Sequence, residues 1–189
     1  MTDTPLIRDA TRDDVPAIAA IYADAVLNGT ASFELDAPGE AEMAARMAAI
    51  VESGYPYIVA VDSAGMLFGY AYAGSYRARP AYRWTVEDSV YIAPDAMGRG
   101  IGRALLAEII ARCEASGFRQ MVAVIGGADH AASIRLHERL GFAHAGRLPA
   151  TGFKHGRWLD SVLMQRALGQ GSRTPPDPHA YPGTLYPAR

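Results

Sequence analysis

A single cysteine, Cys113, leaves this 189-residue chain without any internal disulfide framework. It falls on an apolar helical stripe with Ile101, Leu105 and Ile109, which makes it a buried core thiol rather than a nucleophile. Reducing cytoplasm is the expected compartment. No apolar run approaches the roughly 18 residues of a membrane span. Met1-Thr2-Asp3-Thr4 also lacks the basic start and apolar segment of a secretory signal. Charge of one sign is missing too. The 18 basic and 20 acidic residues are interspersed and sum to -2, so neither the basic face that nucleic acid needs nor a polybasic membrane patch is present. What these absences leave is a small-molecule partner.

Half the residues are apolar, enough for one sizeable core and too few residues for two comfortable domains. Leu6-Ile7-Arg8 reads as a first strand. Thr11 and Asp14 then form a capping-box start to a helix with Val15, Ile18, Tyr22 and Val26 on one face, ending at Asn28-Gly29. After the Pro38-Gly39 break, Met43, Met47, Ile50 and Val51 repeat at helical spacing until Gly54. Strands over Tyr57 to Val61 and Leu67 to Tyr72 flank the turn residues Asp62-Ser63-Ala64-Gly65. An arginine-rich loop, Tyr76 to Trp84, leads into a strand over Thr85 to Ile92. Later come a helix from Ile101, a strand over Met121 to Ile125, a helix from about Ala131 to Leu140, and strands near Phe142 to Gly146 and Leu159 to Gln165. No internal repeat appears. Beyond Leu168 the chain turns to Gly169-Gln170-Gly171-Ser172, and five of its twelve prolines follow. Residues 169–189 therefore read as a tail that is loosely packed, or that docks on a neighbouring subunit through Tyr181 and Tyr186.

The segment most telling of function is Gly98-Arg99-Gly100-Ile101-Gly102, between a strand and a helix start. Alternate glycines let backbone N–H groups and a helix dipole converge on an anion. A lysine and a hydroxyl at the end of the loop would signal a nucleoside triphosphate site, and neither is there. A dinucleotide fold would want glycine at position 103, which is Arg. What remains is a loop flanked by Arg99 and Arg103, suited to a diphosphate that needs no metal, such as that of coenzyme A. The alternative is an ordinary strand-to-helix turn.

The element order resembles that of the GNAT superfamily of N-acetyltransferases. Its cofactor motif, Arg/Gln-x-x-Gly-x-Gly/Ala, falls on Met97 to Gly102, and its second motif on Asp129 to Phe142, with a Leu140-Gly141-Phe142 ending. Two positions depart from the pattern: Met97 stands for Arg or Gln, and His130 for Asn. Asn28 to Glu34, Trp84 to Tyr91 and Gly152 to Asp160 narrow the likeness to the phosphinothricin and methionine sulfoximine acetyltransferase branch, over about residues 5 to 168.

The resemblance implies an α/β fold with a mixed, twisted sheet of six to seven strands and about four helices. It also implies acetyl-CoA as the acyl donor, a small amino-acid-like amine as acceptor, and a homodimer. Val90, Tyr91 and Ile92 would lie along the pantetheine arm, with Met97 to Arg103 at the diphosphate and His130 and Ser133 beside the cofactor. An amine must lose its proton before it attacks, and a carboxylate beside it can take that proton. Glu87 is the candidate base, and strand alternation sets Glu87, Ser89 and Tyr91 opposite Val86, Asp88, Val90 and Ile92. Its alternative is a solvated strand-end carboxylate.

His137 occupies the position of a family tyrosine that returns a proton to the thiolate; a core or surface histidine is the other reading. Arg77, Arg79 and Arg83 suit an acceptor carboxylate, or are exposed loop residues. Phe33, Glu34, Lys154 and Trp158 are the likeness's remaining candidates for the pocket wall. No metal is expected, since His130 and His137 lack further ligands at suitable spacing. Two rival functions remain: the same fold acting on a protein N-terminus, an aminoglycoside or a polyamine, and a non-catalytic acyl-CoA-binding module.

Overall fold

A computed structural model describes residues 5–127 and 130–186. Asp129 of the second motif and Met1 to Thr4 lie outside them. Seven strands form one sheet: β1 (Leu6–Asp9), β2 (Tyr57–Val61), β3 (Leu67–Ser75), β4 (Thr85–Ile92), β5 (Gln120–Gly126), β6 (Ala143–Lys154) and β7 (Arg157–Ala167). Their order is β1-β2-β3-β4-β5-β7-β6, antiparallel except for β4 with β5. Four helices cover it: α1 (Val15–Leu27), α2 (Glu40–Glu52), α3 (Ile101–Ser116) and α4 (Ala131–Arg139). This is the mixed α/β architecture expected from the element order.

Strand alternation decides which helix meets which face. The Tyr91 ring stands edge-on to Tyr22 of α1 at 5.0 Å, whereas the Ile92 side chain lies beneath Gly102 of α3. So α1 and α2 cover one face, and α3 and α4 the other. The pairing of β3 with β4 runs from Gly69↔Ile92 to Ser75↔Val86 without a shift, so the alternation read from the sequence holds along the whole strand. Buried side chains on both faces, among them Ile18, Val26, Tyr70, Leu105, Leu106, Ile109 and Met121, form one continuous core. Cys113 belongs to it, fully buried, and burial pushes its thiol up to about 12.

Three local differences have physical causes. The Thr11–Asp14 box is present, but it opens a short 3-10 turn over Arg12–Asp14 before α1, and Arg8 grips the same carboxylate at 2.7 and 2.8 Å. The closing strands are much longer than the periodicity suggests. Register shifts between His144 and Gly146 and between Leu148 and Gly152 break the alternation that marks a strand. The turn joining them is carried by His155 and Gly156, both left-handed at φ 49° and 71°. Finally, the segment after Leu168 packs on its own chain over the described residues to Tyr186, rather than lying loose.

Candidate active site

The central fact of the site is a parting of strands. β4 pairs with β5 only at Thr85↔Gln120, Val86↔Met121 and Glu87↔Val122, although β4 continues to Ile92 and β5 to Gly126. From Ser89 to Ile92 the edge of β4 facing that gap pairs with no strand among the described residues, and Val90, Tyr91 and Ile92 are half-buried along it. The glycine loop closes the end. Gly98 and Gly100 adopt φ 76° and 82°, a region that L side chains rarely enter, and a Cβ on either would meet open space. The α3 ladder starts with the Ala104 amide donating to the Gly100 carbonyl at 3.1 Å, so the amides of Ile101, Gly102 and Arg103 precede it. These amides and the helix dipole form a cradle that could hold a diphosphate without calling on a side chain.

The side chains around that cradle take different parts. Ile101 is buried and anchors the first turn, whereas Arg103 is exposed. Arg99 lays its guanidinium over the Phe68 ring at 4.4 Å. Met97 is 63% exposed, so its departure from the family pattern leaves the amide cradle intact. His130, at the N-terminus of α4, bonds through Nε2 to Thr30 Oγ1 at 2.6 Å.

Glu87 sits where the strands part, on the α1–α2 face. Among the described residues nothing donates to its carboxyl, and burial, with the neighbouring Asp88 charge, pushes it up to about 7 against the pull of Arg77. On the same face of the sheet lies a cavity of about 310 Å³ lined by Tyr22, Met43, Arg46, Tyr57, Tyr70 and Tyr72; Glu87 does not line it but is within electrostatic reach of Tyr72, and the volume is at the lower end of small-molecule sites. Tyr72 is the cross-strand partner of Ser89, and the Tyr70 hydroxyl is buried without a partner among the described residues. None of these tyrosines stood out in the sequence. The available signal was Tyr70-Ala71-Tyr72 opposite Tyr57, a period-two pattern that reads equally well as core.

His137 lies on the other face. Its Nδ1 faces the Ser133 carbonyl at 2.8 Å and its Nε2 faces Asp88 Oδ2 at 3.0 Å. Both partners are acceptors, so a doubly protonated ring satisfies both. Burial opposes that charge, but the bond and charge of Asp88 prevail and hold the ring above its usual range. Both members are buried, and the second Asp88 oxygen has no partner among the described residues. The two residues singled out for proton transfer therefore stand on opposite sides of β4.

The segment between α1 and α2 is fastened to the β6–β7 hairpin. Lys154, the only lysine of the chain, is buried and donates to the Ser32 carbonyl at 2.7 Å, and burial lowers its pKa against the pull of Glu34. The Phe33 ring lies against Gly126 and Gly152, where any Cβ would collide with it. Burial of Glu34 is outweighed by Arg46 (2.6 Å) and the Tyr22 hydroxyl (2.9 Å), which hold its carboxyl below the usual range. Phe33, Glu34 and Lys154 thus come together near the cavity wall. Trp158 does not join them: it is 65% exposed, edge-on to Phe153 at 5.3 Å on the hairpin surface. In the arginine loop, Arg77 lies over Tyr76 at 5.1 Å, Arg79 is exposed, and Arg83 turns back over Trp84 at 5.5 Å.

Comparison with known proteins agrees with this geometry. Residues 7–163 match the model of the acetyltransferase (GNAT) domain. A phosphinothricin N-acetyltransferase of Alcaligenes faecalis is 54% identical over 171 residues, which cover 90% of this chain and 86% of that protein. An L-methionine sulfoximine/L-methionine sulfone acetyltransferase of Pseudomonas paraeruginosa is 46% identical over 162 residues, 86% of this chain and 94% of that one. Among solved structures, a GNAT superfamily phosphinothricin acetyltransferase of Sinorhizobium meliloti in complex with AcCoA superposes with a TM-score of 0.89 at 55% identity, over 92% of this chain and 94% of that one.

Proposed function

The chain belongs to the GNAT acetyltransferase family, and from that membership we propose that it acetylates the amine of a small amino-acid-like acceptor, with Glu87 as the base. The acceptor class is that of phosphinothricin, methionine sulfoximine and methionine sulfone, on which the named relatives act. Acetyl-CoA, when bound, supplies the activated acyl group and the thiolate that departs. Everything else is done by this chain's own residues.

The amides of Ile101, Gly102 and Arg103 and the Arg103 guanidinium would hold the diphosphate end. The edge of Val90, Tyr91 and Ile92 would pair with the arm, and a main-chain N–H near Ile92 would be the donor to the thioester oxygen. Tyr72, Tyr70 and Tyr57 shape the space for the acceptor, and Arg77 offers its carboxylate a bidentate partner. Glu87 is ionised in growing proportion as pH rises through about 7, where it takes the proton of the incoming ammonium at its carboxylate oxygen. His137 is assigned to holding Asp88 rather than to protonating the thiolate, since both its nitrogens are engaged on the far face.

The observation that carries this reading is Glu87: a half-buried carboxyl that meets no donor among the described residues, at the fork of two strands and on the sheet face that holds the cavity. The test is thiol release from acetyl-CoA with L-phosphinothricin, L-methionine sulfoximine, L-methionine sulfone, methionine, a peptide N-terminus and spermidine. The first three are expected to lead in kcat/KM. A lead by the peptide or spermidine overturns the acceptor class, and silence across the panel despite acetyl-CoA binding leaves a non-catalytic module.

We propose further that the enzyme works in the cytoplasm as a homodimer. The free, buried Cys113 suits a reducing compartment. β6 is a twelve-residue edge strand that is exposed along most of its length, with Leu148, Phe153 and Trp158 uncovered on the hairpin. A second copy would cover that apolar edge. Light scattering should give twice the 20.2 kDa chain mass; a monomer at micromolar concentration refutes the pairing.

A further inference from the structure

The C-terminal segment returns across the molecule to the arginine loop and touches it at both ends. Its first turn is tied down by Arg119, whose guanidinium donates to the Gly171 carbonyl at 2.9 Å and the Thr174 carbonyl at 2.6 Å. Further on, the Thr184 amide and hydroxyl donate to the carbonyls of Ser53 and Glu52, each at 3.1 Å. Between these anchors Tyr181 enters an aromatic recess. Its hydroxyl lies 3.1 Å from that of Tyr55, its ring is edge-on to Trp84 at 5.8 Å and to Phe118 at 6.5 Å, and the Arg83 guanidinium lies 6.0 Å above it. At the far end the Tyr186 hydroxyl donates to the Arg77 carbonyl at 2.9 Å, and Ser75 Oγ donates to the same oxygen at 3.1 Å.

The loop's internal backbone bonds are short-range, Tyr82 to Arg79, Arg83 to Pro80 and Tyr76 to Thr85. Its far stem is also held through the Trp84 carbonyl, which accepts from the Arg119 and Gln120 amides at 2.9 and 3.2 Å, which leaves the near stem at Arg77 to Ser75 and the tail. Arg77 begins just past the end of β3, where Gly74 pairs with Glu87 and Ser75 with Val86. A small rotation at residue 77 therefore swings a long guanidinium toward or away from the base.

We propose that Tyr186 is a positioning residue for acetyl transfer: by fixing the Arg77 main chain, with Tyr181 clamping the loop's other stem at Arg83 and Trp84, it aims the Arg77 guanidinium at the acceptor carboxylate beside Glu87. This rests on the reading of Arg77 as an acceptor-binding residue. The mutual electrostatic influence of Arg77 and Glu87 agrees with it. The tail thereby acts on acceptor selection from outside the sheet.

The experiment compares the full-length wild type with Tyr186→Phe, Tyr181→Ala and Arg77→Ala. Loss of one hydrogen bond in Tyr186→Phe should raise the acceptor KM about threefold to tenfold, with kcat, the acetyl-CoA KM and the melting temperature holding. Arg77→Ala should shift the kcat/KM pH profile to the alkaline side, and the same shift should appear in weaker form in Tyr186→Phe, a change that a merely structural tail would not produce. Tyr181→Ala should move the acceptor KM in the same direction. An acceptor KM unchanged in Tyr186→Phe but raised in Arg77→Ala overturns the positioning role alone. An acceptor KM unchanged in Arg77→Ala removes the arginine reading and the inference with it. A joint rise of both KM values with a fall in melting temperature assigns the tail to stability instead.

Discussion

Glu87 and Asp88 are neighbours on one strand, yet the two faces of β4 treat their carboxyls in opposite ways. Asp88 points toward α4, where His137 meets it at 3.0 Å and is itself braced by the Ser133 carbonyl. Glu87 points toward α1 and α2, meets no donor among the described residues, and is pushed up to about 7. A buried carboxylate that is paired ties two elements together and leaves little capacity for chemistry. A half-buried one without a partner is poised to exchange a proton near neutral pH. The strand's period of two, rather than the identity of the residue, separates the proposed base from the strut. It also explains why two residues with family precedent for proton transfer part company here.

The contrast can be tested at each face. Glu87→Gln removes the base and should lower kcat about 10²- to 10⁴-fold, with acetyl-CoA affinity by calorimetry unchanged; turnover near wild type would place the base elsewhere. Wild-type kcat/KM should rise with pH through about 7 as Glu87 ionises, and this limb should vanish in the Gln variant. Asp88→Ala leaves a protonated imidazole buried without its counter-charge and should cost about 3 kcal/mol in urea unfolding. If instead stability holds, the far face is not a strut.

Asp88→Asn is the subtler probe. His137 is held above its usual range, so the pair's contribution to stability is complete below the unfolded value of 6.5 and is lost as pH rises through the higher folded one. The penalty for Asn should therefore be greatest below pH 6.5 and shrink in alkali. The same change removes a charge that raises Glu87, so the activity limb should move to lower pH. The smallest effect is expected from Tyr70→Phe. Deleting an unpartnered buried hydroxyl should leave stability unchanged or better by about 1 kcal/mol, and a higher acceptor KM would show that the cavity's polar lining serves binding.

Much of the fold was legible because its signals are local. The glycine loop before Ile101, the 101–113 stripe, the Asp62–Gly65 turn and the alternation of β4 each lie within one element. The closing hairpin was less legible, since its register shifts erase the period. Arg83 and Trp158 were grouped with the pocket on chemistry and likeness, but the structure turns the first onto the tail and the second outward.

Residue order alone determined the glycine loop at a helix start, the candidate base and the apolar faces, because glycine freedom, charge and periodicity act over a few neighbours. It could not establish that Asp88 would meet His137 across 49 positions, that tyrosines from α1, β2 and β3 would enclose one cavity, or that Tyr186 would reach Arg77 from 109 positions away. Those contacts exist only once sheet order and helix placement bring distant segments within bonding distance. Burial then decides which polar groups are paired and which are left to react.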